Sequence, residues 1–159
     1  MERITLARII HIIAIVFWIG GVAMVTTVII PAIKKMSSKD EQLKTFERIE
    51  SRFSVQAKIT ILITGLSGFY MLYALNGWQR YLDYQYWWLH AMTFVWLLFM
   101  VILYVLEPLI LHKLFKTYVA QNPEKTFSFL HKAHWILLIL SLITIVGAVA
   151  GSHGWFFIN

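Results

Sequence analysis

The chain has 159 residues, of which 59% are apolar, 16% aromatic and only 14% charged, and its mean hydropathy is +0.69. Soluble domains average about a quarter charged residues, so that class is excluded. The excess of 14 Lys plus Arg over 8 Asp plus Glu sits between apolar runs, which fits a membrane surface and not a nucleic acid. The absence of cysteine excludes disulfides, thiolate metal sites, iron–sulfur clusters and covalent c-type haem, leaving chemistry to His, carboxylates, aromatics or a bound cofactor.

In chain order, the first long apolar run is 9–33. It exceeds the roughly 7 to 15 residues of a signal-peptide core and ends in Pro31, Lys34 and Lys35, so it reads as a retained span. The segment 34–53 is basic, and Leu43, Phe46, Ile49 and Phe53 recur through it at helical spacing. That pattern fits an interfacial helix or an extension of the second span. Further spans are expected at 54–76, 86–111 and 133–158, each long enough for about 30 Å of hydrocarbon. Trp78, Tyr81, Tyr84, Tyr86, Trp87, Trp88 and Trp155 group at one interface as an aromatic belt. Lys58 of span two and Glu107 of span three have comparable depth, which predicts an ion pair, and Pro108 predicts a kink.

Alternating crossings place every basic residue except Arg3, Arg8 and Arg80 on one side. The positive-inside rule puts that side in the cytoplasm and both termini on the periplasmic side. The expected fold is all-α, a single integral-membrane four-helix up-down bundle in which spans one and three are diagonal. No internal repeat, low-complexity tract, phosphate loop or paired-carboxylate motif stands out.

All six histidines lie in or beside spans, and depth sorts them into two groups. His11, His90 and His153 share the outer leaflet; His112, His131 and His134 cluster at the cytoplasmic ends of spans three and four. A haem bridging helices needs axial imidazoles at equal depth, which His11 and His90 meet best, with His153 as the alternative ligand. Each also has a plainer reading as an interfacial histidine bonded to headgroups or carbonyls. Arg8, one turn outward of His11, would pair with a haem propionate or anchor the span. Trp18 lies on the face of His11, and Gly21 continues that stripe. Gly65, Gly68, Gly147 and Gly151 read first as helix packing contacts. The inner histidines are a weaker candidate for a second haem or a divalent metal, and the six methionines form no copper ladder.

The run His11, Trp18-Ile19-Gly20-Gly21 and Pro31 resembles the first span of the copper resistance protein D family of membrane domains and its small stand-alone relatives. More distantly, the same run and Trp88-Leu89-His90-Ala91-Met92 resemble the HemJ-type membrane protoporphyrinogen IX oxidase, whose third span reads Trp-Leu-His-Ala-Lys. The resemblance implies haem b bound by His11 and His90 in a multi-pass protein of the bacterial inner membrane. Where the oxidase pattern has Pro-Arg, Thr26 and Thr27 stand here, and Met92 replaces its lysine, so two cations suited to a carboxylated porphyrin substrate are missing. The family name also implies copper transport or an accessory role, although soft Cu(I) prefers thiol or clustered Met ligands.

The expected function is therefore a small b-type cytochrome, exchanging electrons with quinone or a periplasmic redox partner. The alternatives are a protoporphyrinogen IX oxidase-like enzyme and a copper permease or accessory protein. Partners are the lipid bilayer and, for all three readings, a homo-oligomer remains open. Topology is testable without any cofactor: a reporter fluorescent only in the cytoplasm should be bright when inserted near Asn122 and dark when fused after Asn159, and the reverse would overturn the depth sorting.

Overall fold

The computed structural model describes residues 2–111, 117 and 122–155, and every regular element among them is helical. Helix α1 (Glu2–Met24) continues through a π turn (Val25–Ile29) into α2 (Ile30–Lys34). After α3 (Lys39–Ala74) come two 3-10 turns (Gly77–Leu82 and Tyr84–Tyr86). Then α4 (Trp87–Val101) runs into a π segment (Ile102–Leu111), and α5 (Pro123–Ser152) follows. Four stretches are long and apolar enough to cross a membrane: Glu2–Lys34, Lys39–Ala74, Tyr84–Pro108 and Glu124–Ser152. Each overlaps one of the four expected spans, with different limits. His112, Lys113, Lys116 and the expected end of span four at 156–158 lie outside the described residues.

Local sequence sets the helix limits. Ser38 caps α3 by accepting the Glu41 N–H at 3.3 Å, and Asp40 and Glu41 place negative charge in its first turn. Asn76, at φ 49°, closes α3 with the left-handed geometry that Asn tolerates. Asn122 caps α5, with Pro123 in the first turn where its missing N–H costs nothing. At 36 residues α3 is about 54 Å long, well beyond the hydrocarbon thickness. The apolar residues Leu43, Phe46, Ile49 and Phe53 therefore belong to a continuous extension of span two, which settles the choice between extension and separate interfacial helix. Phe46 packs there edge-to-face on Phe127, centroids 5.6 Å apart, beside Val25, Ile30 and Ile33.

All four long helices contribute to the main core, formed by Trp18, Ile19, Val22, Ile61, Val95, Phe99 and Leu138. Trp18 and Phe99 meet edge-to-face at 5.0 Å. The outward walls are apolar as well, with Val16, Leu66 and Val146 each at least 60% exposed, the pattern expected of a lipid-facing surface.

Glycines on three helices receive aromatic rings from their neighbours. Gly21 of α1 faces Phe53, Gly65 of α3 faces Trp96, and Gly147 and Gly151 of α5 face Trp87 and Trp88. A Cβ at Gly65 would stand 2.6 Å from the Trp96 indole, whose Nε1–H donates to the Ile61 carbonyl at 2.9 Å. The glycines are thus packing contacts in a specific sense: they are seats for rings, and the space they open is filled.

One π segment lies just before a proline and the other contains one. Ile30 donates its N–H to the Val25 carbonyl, five residues back, and Pro31 has no N–H to offer the next carbonyl, that of Thr26. His131 of α5 supplies the missing donor, with Nε2 2.9 Å from the Thr26 oxygen. Pro108 lies inside the second π segment, so the expected kink takes the form of an altered helical register.

Overpacking a seat should be costly and filling open space should not. Gly65→Leu is expected to lower stability by about 1–3 kcal/mol, read as a drop in thermal midpoint in detergent, whereas Gly20→Leu, with nothing within 4 Å of its would-be Cβ, should leave the midpoint unchanged or raise it.

Candidate functional site

His11 is set by a hydroxyl-bearing face of α3. Thr60, Thr64 and Ser67 recur there at helical spacing, and each hydroxyl bonds back to a carbonyl of its own helix. This satisfies them within hydrocarbon and leaves oxygen lone pairs facing α1. His11 Nδ1 lies 2.9 Å from the Thr64 carbonyl oxygen and 3.0 Å from Ser67 Oγ. A carbonyl only accepts, so Nδ1 carries the hydrogen and Nε2 keeps its lone pair. Gly68 makes room for the ring: a Cβ there would lie 3.3 Å from His11 Cε1. An imidazole fixed through Nδ1–H to a carbonyl, with Nε2 available, is the arrangement in which proteins present histidine to a metal.

His90 is placed differently. It is exposed, and its Nε2 donates to the Tyr81 carbonyl at 3.0 Å. Its ring stands edge-on to Tyr81, centroids 5.1 Å apart, while the Tyr81 hydroxyl bonds to Thr93 Oγ1 at 2.7 Å. The N-terminal end of α4 thus grips the turn that follows α3, and only Nδ1 of His90 is left with a lone pair. His153, at the C-cap of α5, donates from Nδ1 to the Val149 carbonyl at 2.8 Å, so its Nε2 is free as in His11. Among the described residues no three His, Cys, Asp or Glu side chains group to hold a metal ion, so His11, His90 and His153 do not converge as a cluster.

Arg8 is exposed near the N-terminal end of α1. Trp18 is 4% exposed, and its Nε1 is the buried side-chain polar atom that lacks a hydrogen-bond partner among the described residues. Such an orphan donor is uncommon in native cores and marks a place for an acceptor.

At the basic end, the two described histidines of the inner group serve carbonyls. His131 caps Thr26, as above. Trp135 Nε1 also lies 3.0 Å from His131 Nε2, but one tautomer permits only one of these bonds. The buried Thr26 carbonyl decides for donation by His131, since Trp135 is exposed. His134 donates from Nδ1 to the Leu130 carbonyl at 2.9 Å, leaving its Nε2 free.

The expected Lys58–Glu107 pair is present at 2.9 Å. Ser54 Oγ lies 2.6 and 2.7 Å from the two Glu107 oxygens, and the Tyr104 hydroxyl donates to the Lys58 carbonyl at 3.0 Å. Sequence reasoning missed Ser54, although it stands one turn from Lys58 on the same face of α3. It also missed the Thr60, Thr64 and Ser67 face, whose spacing was the available signal. Nothing in the sequence marked Tyr81 as the partner of His90.

For the haem that the resemblance implies, the residues fit on one side. His11, its ring seated on Gly68, offers an oriented Nε2, and Trp18 offers an unused donor on the same stripe of α1. His90 fits only by releasing Tyr81 or by turning to use Nδ1. Comparison with protein-family models, curated proteins and solved structures gives no match.

The Lys58 and Glu107 side chains are 28% and 13% exposed, so removing one partner leaves a charge with little water. Glu107→Leu is expected to cost about 1–3 kcal/mol in detergent unfolding, and the double variant Lys58→Met with Glu107→Leu should recover most of that loss; a double variant as unstable as the single one would show that the pair is not the source.

Proposed function

We propose that this protein is a membrane-embedded b-type haem protein, with the iron held through Nε2 of His11 in the leaflet away from the lysine-rich end. The observation that carries this reading is the bond from His11 Nδ1 to the Thr64 carbonyl, which orients the ring and leaves Nε2 as the ligand atom. Thr64 and Ser67 hold the ring, Gly68 admits it, and Arg8 is positioned to meet a propionate at the outer surface. A bound haem would supply one-electron transfer, with quinone or a periplasmic redox protein as partner.

The topology proposed with it is up-down, lysine-rich end in the cytoplasm and both termini on the periplasmic side of a bacterial inner membrane. Contacts of His11 with Thr64 and Ser67, and of Gly21 with Phe53, have the descending register of an antiparallel pair. Exposed Trp78, Tyr84 and Trp155 suit the opposite headgroup layer.

His90 or His153 would supply a second ligand. His153 has Nε2 free in the observed arrangement, whereas His90 spends that atom on Tyr81.

A pyridine haemochrome spectrum of the detergent-purified protein should show haem b, and His11→Ala should abolish it or convert low-spin to high-spin iron. Loss of the low-spin signal in His153→Ala with its retention in His90→Ala would assign the second ligand to α5, and the converse would assign it to α4. Protein made with ample haem that carries none would overturn the reading in favour of a transport role, copper included.

A further inference from the structure

Between α2, α3 and α5, at the lysine-rich end, the structure holds an open cleft of about 480 Å³ that no part of the haem reading uses. It is lined by Lys34 of α2, Gln42 of α3, and Glu124, Lys125, Phe127 and Ser128 of α5. Its position follows from packing. Ile33, Phe46 and Phe127 meet in one buried cluster, with the Phe46 and Phe127 rings 5.6 Å apart. Lys34 follows Ile33, Gln42 lies one turn before Phe46, and Lys125 and Ser128 flank Phe127. The contacts that bury the apolar side chains therefore gather the polar ones around the cleft, above a floor set by Phe127, which is 1% exposed.

We propose that this cleft binds a phosphodiester group, held between the Lys34 and Lys125 ammonium groups and hydrogen-bonded by Gln42 and Ser128. Both lysines are exposed, and neither has an ion pair among the described residues. Asp40, two residues before Gln42, is taken by Lys44 at 2.6 Å. Gln42 gives one Nε2 hydrogen to the Met36 carbonyl at 2.7 Å, which orients the carboxamide and leaves its second hydrogen for a ligand. Lysine binds phosphate as a point charge, and a cleft of this size lies within the about 300–1,000 Å³ of small-ligand sites, so a phosphate enters together with what it esterifies. Glu124 sets the preferred charge. With two lysines against this one acid, the lining carries a surplus of one positive charge, which matches the single negative charge of a phosphodiester better than the two of a phosphate monoester. A phospholipid headgroup and a soluble phosphodiester share this chemistry, and basic clefts at the end of a membrane bundle accept the former.

Native mass spectrometry of the full chain, released from a neutral detergent containing phosphatidylglycerol, reads the site as retained lipid. Lys34→Gln with Lys125→Gln should lower retention several-fold, and Glu124→Gln should raise it. Lys35→Gln with Lys39→Gln removes the same charge from exposed lysines outside the lining and should leave retention unchanged. Glycerophosphoglycerol, the same headgroup without acyl chains, separates the two sources: displacement of the lipid by it assigns the cleft to soluble phosphodiesters, and retention of the lipid in its presence assigns it to the bilayer. Equal loss in the two double variants would reduce the effect to bulk charge and overturn the proposal, as would unaltered protein that retains neither lipid nor headgroup. The assay needs no haem, so haem-free protein that keeps the lipid separates this site from the haem reading.

Discussion

A backbone carbonyl inside hydrocarbon has no water to turn to, and much of this structure follows from that constraint. Pro31 removes one N–H from the first span, and the chain responds with a π turn in which Ile30 reaches back to Val25. The Thr26 carbonyl is then left over and is met from another helix by His131. That one bond ties the fourth span to the first at the lysine-rich end. It also gives a histidine that looked like a metal or haem ligand a structural occupation, because its Nε2 is spent. Buried hydroxyls obey the same rule, Thr26 and Ser141 by bonding within their own helices to Val22 and Leu137, and Ser54 by bonding across to Glu107.

Within those limits, close packing is achieved by pairing the smallest residue with the largest. Apolar burial provides little drive between helices already surrounded by lipid, so contact area and shape must hold the bundle together. Trp87 and Trp88 seated on Gly147 and Gly151 join α4 to α5, while Trp96 on Gly65 joins α4 to α3. Since α4 carries all three indoles and the glycines lie on its neighbours, the third span acts as the wedge of the assembly. The same device operates at His11, where Gly68 admits an imidazole instead of an indole. A ligand site and a packing contact are built here by one means.

The sequence made the four spans legible because length and hydropathy are properties of a helix alone. It made the Lys58–Glu107 pair legible because two opposite charges at matched depth have few other resolutions. The outcome for Leu43, Phe46, Ile49 and Phe53 was not legible: helical spacing is the same for a separate interfacial helix and for a continuous α3, and packing against Phe127 decides between them. The histidines were sorted by depth, which is a one-dimensional quantity. What each ring nitrogen does depends on which carbonyl lies beside it, on the same helix for His134 and His153 and on a neighbouring one for His11 and His131. Thr64 for His11 is a contact between distant parts of the chain, and Tyr81 for His90 comes from the turn that precedes α4.

Tautomer, more than position, therefore distinguishes the described histidines. His11, His134 and His153 all give Nδ1–H to a carbonyl, and each keeps an Nε2 lone pair at the tip of the ring. His90 and His131 give Nε2–H and turn their tips into structural bonds. Because Nε2 projects farthest from the backbone, it is the atom that can reach a third party, so the first set can act on something outside its own hydrogen bond while the second set is used up holding the fold. In His134 and His153 the carbonyl lies four residues back on the same helix, an arrangement any helical histidine can adopt. In His11 it lies on α3, across the most closely packed helix pair, with Ser67 beside it. Orienting a ring through a second helix is a stronger constraint than orienting it through its own, and that sets His11 apart from the other two.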